Sequence, residues 1–346
     1  MFTQKLFNST KRNITFERHN NTMANLKSIQ KPVEQELKIF ELHFKDSLKS
    51  EVPFLIPITN YILRRKGKQI RPTIVLLSAA MFSKITPSTY TAASLIELLH
   101  TATLVHDDVV DESYERRGFF SMKALWGSKV AVLVGDFLLS KGLLLSVENN
   151  EYELLSIVSE AVKEMSEGEL IQLKKTRRLD ITMDEYFEII RKKTAALIAA
   201  CAASGAKSVG RSEEEIQLMK DFGYHVGIAF QIKDDLFDYE NSGKIGKPTG
   251  NDIKEKKMTL PLIYSLQNCS SAEKRKIINI VRKDNKNKKN LEEVLNFVKK
   301  HKGLEYAEEK MNEYKNLALD ILNHFPDNHA KDALSNLVDF TINRKK

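Results

Sequence analysis

The apolar positions of this chain recur at the three- and four-residue spacing of helices. Leu37, Phe40, Phe44 and Leu48 share one stripe, so the stretch from Pro32 to about Leu48 is expected to form an amphipathic helix. Proline suits a first helical turn, because the N–H it lacks would have no partner there. One helix is therefore expected to start near Pro72, and another at Pro87 that runs into the acidic residues ending at Asp111. Further helices fit Met122–Val147, Glu151–Thr176, Met183–Ala203 and Ser212–Tyr239, and several more follow from Lys257 onward. No segment alternates apolar and polar residues as a half-buried strand would, and no repeat recurs at a fixed period. PTIVLLSAAMF and TAALIAACAASGA read as buried helices, and no apolar run approaches the roughly 18 residues of a membrane span. Helices of these lengths packed around a central cavity make an all-α bundle.

Two of the helices end in the same acidic pattern, Asp-Asp-x-x-Asp. The first copy is Asp107, Asp108 and Asp111; the second is Asp234, Asp235 and Asp238. Residues four apart on a helix share a face, so Asp107 stacks over Asp111 and Asp234 over Asp238. Like charges so placed repel unless cations neutralise them, and hard carboxylate oxygens suit Mg²⁺ or Mn²⁺. Mg²⁺ usually takes one or two protein carboxylates and completes its shell with water and phosphate. Two such clusters suggest a site that grips a diphosphate. The plainer reading of each, alone, is a solvated helix end.

Basic residues gather around the first cluster. Lys68 and Arg71 lie just before an expected helix, where helix N-termini and arginine forks both favour phosphate. His100 lies seven residues before Asp107, on the same helical face, and Arg116 and Arg117 follow Asp111. Taken singly, these are a helix start, a core histidine and a surface pair. Together they give a second anion site, reached directly by Lys, Arg and His. After the second cluster the loop from Asn241 to Asp252 is rich in Gly and Lys. A phosphate-binding P-loop is excluded there, because Pro248 occupies the required Ser/Thr position and no strand precedes it. The loop reads as a cationic flap.

Composition narrows the classes. The 346 residues are 42% hydrophobic and 29% charged, with only 14 Gly and 8 Pro, which favours helices over turn-rich β structure. Cys201 and Cys269 have no ligand spacing, so neither a disulfide framework nor a zinc site is indicated, and a reducing, cytoplasmic setting is the default. The net charge of +8 could suggest nucleic acid, but the lysines interleave with glutamates and no nucleic-acid motif accompanies them. The polar, basic stretch before Met23 weakly resembles a transit peptide; the expectation is a disordered extension over residues 1–28, or an over-long start with Met23 as the true one, followed by a single all-α domain over 29–346.

The motifs GKQIRP, HTATLVHDDVVDESYERRG, GDFLLSK, KKTAAL, FQIKDDLFD and GKPTGNDIKEKKMTLPL occur in that order. From roughly Glu36 to Phe340 the chain thereby resembles the trans-isoprenyl diphosphate synthases, or polyprenyl synthetases. The resemblance implies an isoprenoid-synthase-type helical bundle, usually a homodimer, with both acidic clusters facing the cavity. It implies that Asp107, Asp108 and Asp111 bind Mg²⁺ and through it the allylic diphosphate, and that Asp234, Asp235 and Asp238 complete the metal cluster. It assigns Arg116 to the allylic diphosphate, and Lys68, Arg71, His100 and Arg117 to isopentenyl diphosphate. Lys193, Thr194, Gln231, Lys247 and Lys257 match positions lining the diphosphate and the reacting carbons. Phe237, inside the second cluster, departs from the aliphatic residue more usual in the family, at a position that is not a ligand.

The expected product is a medium-to-long, all-trans polyprenyl diphosphate of the quinone-tail kind. Ala102 and Thr103 stand five and four residues before Asp107 and are small, and in this family small residues there go with longer products. Release of so apolar a product implies transient contact with a membrane surface. The alternatives are a short-chain farnesyl or geranylgeranyl diphosphate synthase, a non-catalytic subunit of a heteromeric synthase, and a terpene cyclase. Both intact clusters argue against the subunit, and Lys68, Arg71 and His100 argue against the cyclase.

Overall fold

The structure is a computed structural model and describes residues 25–65, 67–116, 119–239, 250–283 and 287–344. The chain opens with α1 (Leu26–Gln30), a 3-10 turn (Lys31–Val33), α2 (Glu34–Ser47), α3 (Leu55–Arg64), α4 (Ile70–Phe82) and α5 (Pro87–Val110). A two-residue antiparallel ribbon, β1 (Glu115–Arg116) with β2 (Phe119–Phe120), leads into α6 (Met122–Glu148) and α7 (Tyr152–Arg178). Then come α8 (Met183–Ile190), a π-turn (Arg191–Ala195), α9 (Ala196–Lys207) and α10 (Glu213–Phe237). The rest is α11 (Asn251–Lys254), α12 (Leu260–Gln267), α13 (Ser271–Lys283), α14 (Lys288–Lys300), α15 (Gly303–Leu322) and α16 (His329–Asn343).

The helix starts follow local chemistry. The Thr86 hydroxyl accepts the N–H of Thr89 while Thr89 answers the Thr86 N–H, with Pro87 in the first turn of α5. Thr182 with Glu185 opens α8, and Ser212 with Glu215 opens α10, in the same reciprocal way. The structure departs from the sequence reading in several places. α1 begins at Leu26, its first three residues inside the stretch expected as an extension, and it buries Ile29 just beyond it; residues 1–24 lie outside the described residues. α3 is a helix beyond those expected, with Pro57 in its first turn. α4 starts at Ile70 rather than Pro72, from Gln69 in a left-handed conformation. The single helix expected over Met183–Ala203 is broken in phase by the π-turn.

α4, α5, α9 and α10 form the centre. Their contacts are made by residues with almost no exposure, among them Leu76, Leu95, Ala202 and Phe222. Burying a side chain of the size of Leu76 or Phe222 contributes about 1.5–3 kcal/mol relative to leaving it in water. α9 reads Ala-Leu-Ile-Ala-Ala-Cys-Ala-Ala, and the small residues let α4, α7 and α10 approach it closely. A second layer of α12–α15 packs over the lower half of α10.

One expectation needs correction. α6 is long and apolar enough by length and composition to cross a membrane, although only 33% of its most apolar window is buried. Scattered lysines and glycines hid this from a search for unbroken apolar runs. α6 packs one face on α5, and its outer face carries Leu125, Val132, Leu133, Leu143, Leu144 and Val147, all more than 40% exposed.

Candidate active site

Both acidic clusters sit at the C-terminal ends of long helices, α5 and α10. The helix dipole already makes that end negative, so each carboxylate there costs about 0.3–1 kcal/mol. A fold that places three carboxylates at each of two such ends builds a cation site at the expense of stability. On α5, Asp111 closes the helix, its N–H donating to the Asp107 carbonyl at 2.8 Å. Asp107 is half-buried and Asp111 exposed on one face, while Asp108, about 100° further round, is 3% exposed and turned into the protein.

The second cluster divides its labour. The Asp234 side chain is 41% exposed and is met by the guanidinium of Arg344, which stands 3.9 Å over the Phe230 ring and 5.3 Å over the Phe237 ring. Asp235 is buried: its Oδ2 accepts the Tyr186 hydroxyl at 2.7 Å and the Leu260 N–H at 3.3 Å, and its Oδ1 accepts Nε2 of Gln231 at 3.0 Å. Burial pushes the Asp235 carboxyl up to about 7, against the pull of those hydrogen bonds. Asp238 is also buried and accepts the N–H groups of Asn251 at 2.8 Å and Asp252 at 3.1 Å, which fastens the start of α11. Asp234 therefore presents the most open carboxylate of this cluster.

Lys257 links the two walls. Burial works against its charge, but Glu255, Asp252 and, more weakly, Asp111 of the first cluster outweigh it, and its pKa is raised. Its Nζ is 2.5 Å from Glu255 Oε2 and 3.9 Å from Asp252 Oδ1. Asp252, pushed up to about 6 by burial and then by Asp238, also feels Asp234. The chain thus gathers Asp111, Lys257, Asp252, Asp234 and Asp238 into one electrostatic group.

The π-turn presents Lys193 and Thr194. Each of its three basic residues is paired with α7: Arg191 to Glu164 at 3.0 Å, Lys192 to Glu167 at 2.9 Å, and Lys193 to Glu169 at 2.5 Å and Gln172 at 2.6 Å. Thr194 turns the other way and donates to Gln231 Oε1 at 2.8 Å. Two glycines allow this clamp. A Cβ at Gly168 of α7 would lie 2.9 Å from the Lys193 nitrogen, and one at Gly227 of α10 would lie 2.4 Å from the Ala195 Cα. A cavity of about 240 Å³ opens beside the π-turn, with Lys193, Thr194, Gln231, Asp252 and Lys257 on its polar side and Ile189, Ile190 and Met258 on its apolar side.

Of the residues assigned to isopentenyl diphosphate, Lys68 and Arg71 lie at the start of α4 and His100 lies in α5, which packs against it. Lys68 is exposed, with Nζ 6.0 Å from the Phe340 ring of α16; Arg71 is half-buried in the first turn of α4; His100 is 8% exposed on α5. α16 passes Lys68 at Phe340 and ends near Asp234, its C-terminal flank placing Arg344 there, so it joins the two regions. Arg116 lies in β1, and its side chain, like Arg117 and Lys247, lies outside the described residues. Thr103 faces the same side as Asp107 and donates to the His100 carbonyl at 2.9 Å. Ala102 is 2% exposed in the apolar layer between α5 and α6, with Leu98, Val105, Val134 and Leu138.

Tyr186 and Arg344 escaped the sequence reading. Each is more than 45 residues from the aspartate it holds, and no spacing rule connects them. The glutamates of α7 that face the π-turn left a trace, the run KEMSEGEL opposite RKKT, but without the fold nothing pairs them.

Among the described residues no group of three or more His, Cys, Asp or Glu side chains converges on a point as a complete metal cage. A hard cation such as Mg²⁺ needs only one or two protein carboxylates, with phosphate and water filling the rest of its shell.

Comparison with known proteins gives concordant results. The polyprenyl synthetase family model matches residues 52–298. The short chain isoprenyl diphosphate synthase of Methanothermobacter thermautotrophicus is 34% identical over 296 residues, covering 84% of this chain and 90% of that protein. The octaprenyl diphosphate synthase of Escherichia coli is 34% identical over 323 residues, covering 93% of this chain and 100% of that one. Among solved structures, polyprenyl synthase from Caulobacter crescentus CB15, complexed with calcium and isoprenyl diphosphate, superposes with a TM-score of 0.84 at 30% identity, covering 94% of this chain and 99% of that one.

Proposed function

Because the chain belongs to the polyprenyl synthetase family of prenyltransferases, we propose that its cavity joins isopentenyl diphosphate to an allylic diphosphate, repeatedly, to make an all-trans medium- or long-chain polyprenyl diphosphate. The observation that carries this reading is the placing of both acidic clusters at helix C-termini around one group that also holds Lys257 and Asp252. Asp107, Asp111 and Asp234 are the carboxylates that would hold Mg²⁺, which when bound neutralises charge on the departing diphosphate. The calcium and isoprenyl diphosphate of the Caulobacter relative support a divalent cation of this kind.

Lys193 and Lys257 supply fixed positive charge to the leaving group, preorganised by their ion pairs rather than recruited from solvent. Thr194 and Gln231 turn oxygen dipoles toward the carbons that become cationic, and the apolar wall of Ile189, Ile190 and Met258 excludes water that would capture them. Lys68, Arg71 and His100 form the direct anion site for isopentenyl diphosphate. The proton lost after each condensation goes to the departing diphosphate.

Product length rests on Ala102 and Thr103, and on the octaprenyl diphosphate synthase relative. We further propose a homodimer joined through the outer face of α6. Its apolar positions 125, 132, 139, 143 and 147 repeat at nearly seven-residue intervals or the four-residue step within them, a stripe suited to a second copy of the same helix. The thiols support a reducing, cytoplasmic setting: Cys201 is pushed up to about 12 by burial and Cys269 is half-buried, and both are unpaired.

The test is one assay. The purified chain is given labelled isopentenyl diphosphate and geranyl or farnesyl diphosphate, with Mg²⁺ or with EDTA, and the extracted products are resolved by length. Condensation to products longer than geranylgeranyl diphosphate, abolished by EDTA, is expected. Turnover in excess EDTA would refute the metal assignment, and termination at farnesyl or geranylgeranyl diphosphate would refute the chain-length reading.

A further inference from the structure

The geometry points to Tyr186 as a positioning residue for the condensation, acting through Asp235 to fix which way the amide of Gln231 faces. This rests on the reading of the site just given.

Four side chains form one continuous run of hydrogen bonds. The Tyr186 hydroxyl donates to Asp235 Oδ2 at 2.7 Å, Gln231 Nε2 donates to Asp235 Oδ1 at 3.0 Å, and the Thr194 hydroxyl donates to Gln231 Oε1 at 2.8 Å. They come from three elements, α8, α10 and the π-turn. Tyr186 and Asp235 are 4% and 5% exposed, so solvent cannot substitute for either partner.

The run has a direction. A primary amide is ambiguous: its oxygen accepts and its nitrogen donates, and the two ends have nearly the same shape. With Oδ2 taken by the Tyr186 hydroxyl and the Leu260 N–H, Asp235 offers Gln231 an acceptor at Oδ1, which turns its NH₂ inward and its carbonyl oxygen toward Thr194 and the cavity. That orientation is the one a carbocation needs. The reversed amide would aim N–H groups at the developing positive charge and repel it. Asp235 can enforce the choice only if its own plane is fixed. Oδ2 also accepts the Leu260 N–H at 3.3 Å, and the Tyr186 hydroxyl at 2.7 Å is the shorter of the two. Tyr186 is itself held: α8 is locked at its start by Thr182 and Glu185, and the ring packs edge-on against Phe187 with centroids 5.4 Å apart.

On this assignment the second acidic cluster works in three separate ways. Asp234 faces the cation, Asp238 fastens α11, and Asp235 orients the amide and touches no substrate.

The decisive experiment is a double-mutant cycle on the full chain, with Tyr186→Phe, Gln231→Leu and the pair. Each protein is assayed with isopentenyl and farnesyl diphosphates over a range of Mg²⁺, and its thermal unfolding is recorded. Tyr186→Phe keeps the ring and its packing and removes one hydrogen bond to the Asp235 carboxyl. Its kcat is expected to fall about 10-fold or more, while KM for both diphosphates and the Mg²⁺ concentration for half-activity stay within about 2-fold. In the Gln231→Leu background the same change should cost less than about 2-fold, because the group it acts through is gone. A merely structural role would lower kcat equally in both backgrounds and would track the loss of thermal stability. Wild-type kcat in Tyr186→Phe, or additive losses in the pair, would overturn the assignment. Should Tyr186→Phe fail to fold, Asp235→Asn paired with Gln231→Leu carries the same cycle, since an amide at 235 no longer dictates the orientation of Gln231. A wild-type chain that condenses no diphosphates would remove the reading of the site and this relay with it; an active wild type with an indifferent Tyr186→Phe removes the relay alone.

Discussion

Gly227→Ala puts a single methyl group where α10 meets the π-turn, and its effect can be worked from contacts. The added carbon would lie 2.4 Å from the Cα and 2.6 Å from the Cβ of Ala195. Carbon atoms rest at about 3.5–4.0 Å, so the two segments must part by about 1 Å. Both contacts are on small, stiff groups rather than the far end of a flexible side chain, so little can give except the backbone. Two effects on stability then oppose each other. Overpacking costs about 1–3 kcal/mol, and the better helix propensity of alanine returns about 1 kcal/mol. The net loss is modest, and since 1 kcal/mol moves Tm by about 2–4 °C in domains of 150–250 residues, a shift of a few degrees at most is expected here. Catalysis has no such compensation. Four residues further along α10, Gln231 meets Thr194 of the π-turn at 2.8 Å. A separation of about 1 Å breaks that hydrogen bond and displaces the oxygen dipoles, and misplacements of this size cost about 100-fold in rate. Turnover is therefore expected to fall about 10- to 100-fold in a protein that unfolds within a few degrees of wild type. Steady-state condensation and differential scanning calorimetry on one preparation decide the matter. Full turnover in Gly227→Ala would show that the close approach of α10 to the π-turn does not position the reacting groups.

Three other outcomes are expected. Asp234→Ala should raise the Mg²⁺ concentration for half-activity and lower turnover by orders of magnitude while the protein stays folded, since a carboxylate at a helix C-terminus is being removed; unchanged Mg²⁺ dependence would remove Asp234 from the cation site. In EDTA, the wild type should lose thermal stability between about pH 5.5 and pH 8 more steeply than Asp235→Asn. The Asp235 carboxyl, at about 7 in the fold against 3.8 ordinarily, binds its proton more tightly folded than unfolded, so its stabilising contribution is complete at low pH and is lost as pH rises through that value; equal slopes would contradict this, and because His225, its pKa lowered by burial, works in the opposite direction in both proteins, the comparison cancels it. Val132→Arg with Leu143→Arg, on the exposed stripe of α6, should convert particles of twice the chain mass into monomers by light scattering, and dimers that persist would place the interface elsewhere.

The all-helical architecture and the acidic clusters were legible because both rest on local periodicity: a stripe recurring along one helix, and carboxylates four residues apart on it. Helix starts at Pro87 and Ser212 were legible for the same reason, since their capping partners lie three residues away. What stayed hidden depends on distance in sequence. The role of Asp235 could not be separated from that of Asp234, because the two are neighbours in the motif and differ only in what the fold brings to them, Tyr186 to one and Arg344 to the other. The π-turn was hidden too: RKKTA has no residue that forbids an α-helix, and the glutamates that meet its three basic side chains sit on α7, more than 20 residues away in sequence.

That turn has a consequence for how this protein can vary. Elsewhere a helix end can gain or lose a residue and the neighbouring loop takes up the change. Between α8 and α9 there is no loop, and the π-turn takes up one residue more than an α-helical path would. Losing one residue of Arg191–Ala195 would let the turn tighten to α geometry with α9 still in phase, but it would remove a side chain from the row that pairs with α7 and meets Gln231. Descendants of this chain can therefore shed the widened turn without unpacking α9, but not without giving up part of the clamp beside the cavity.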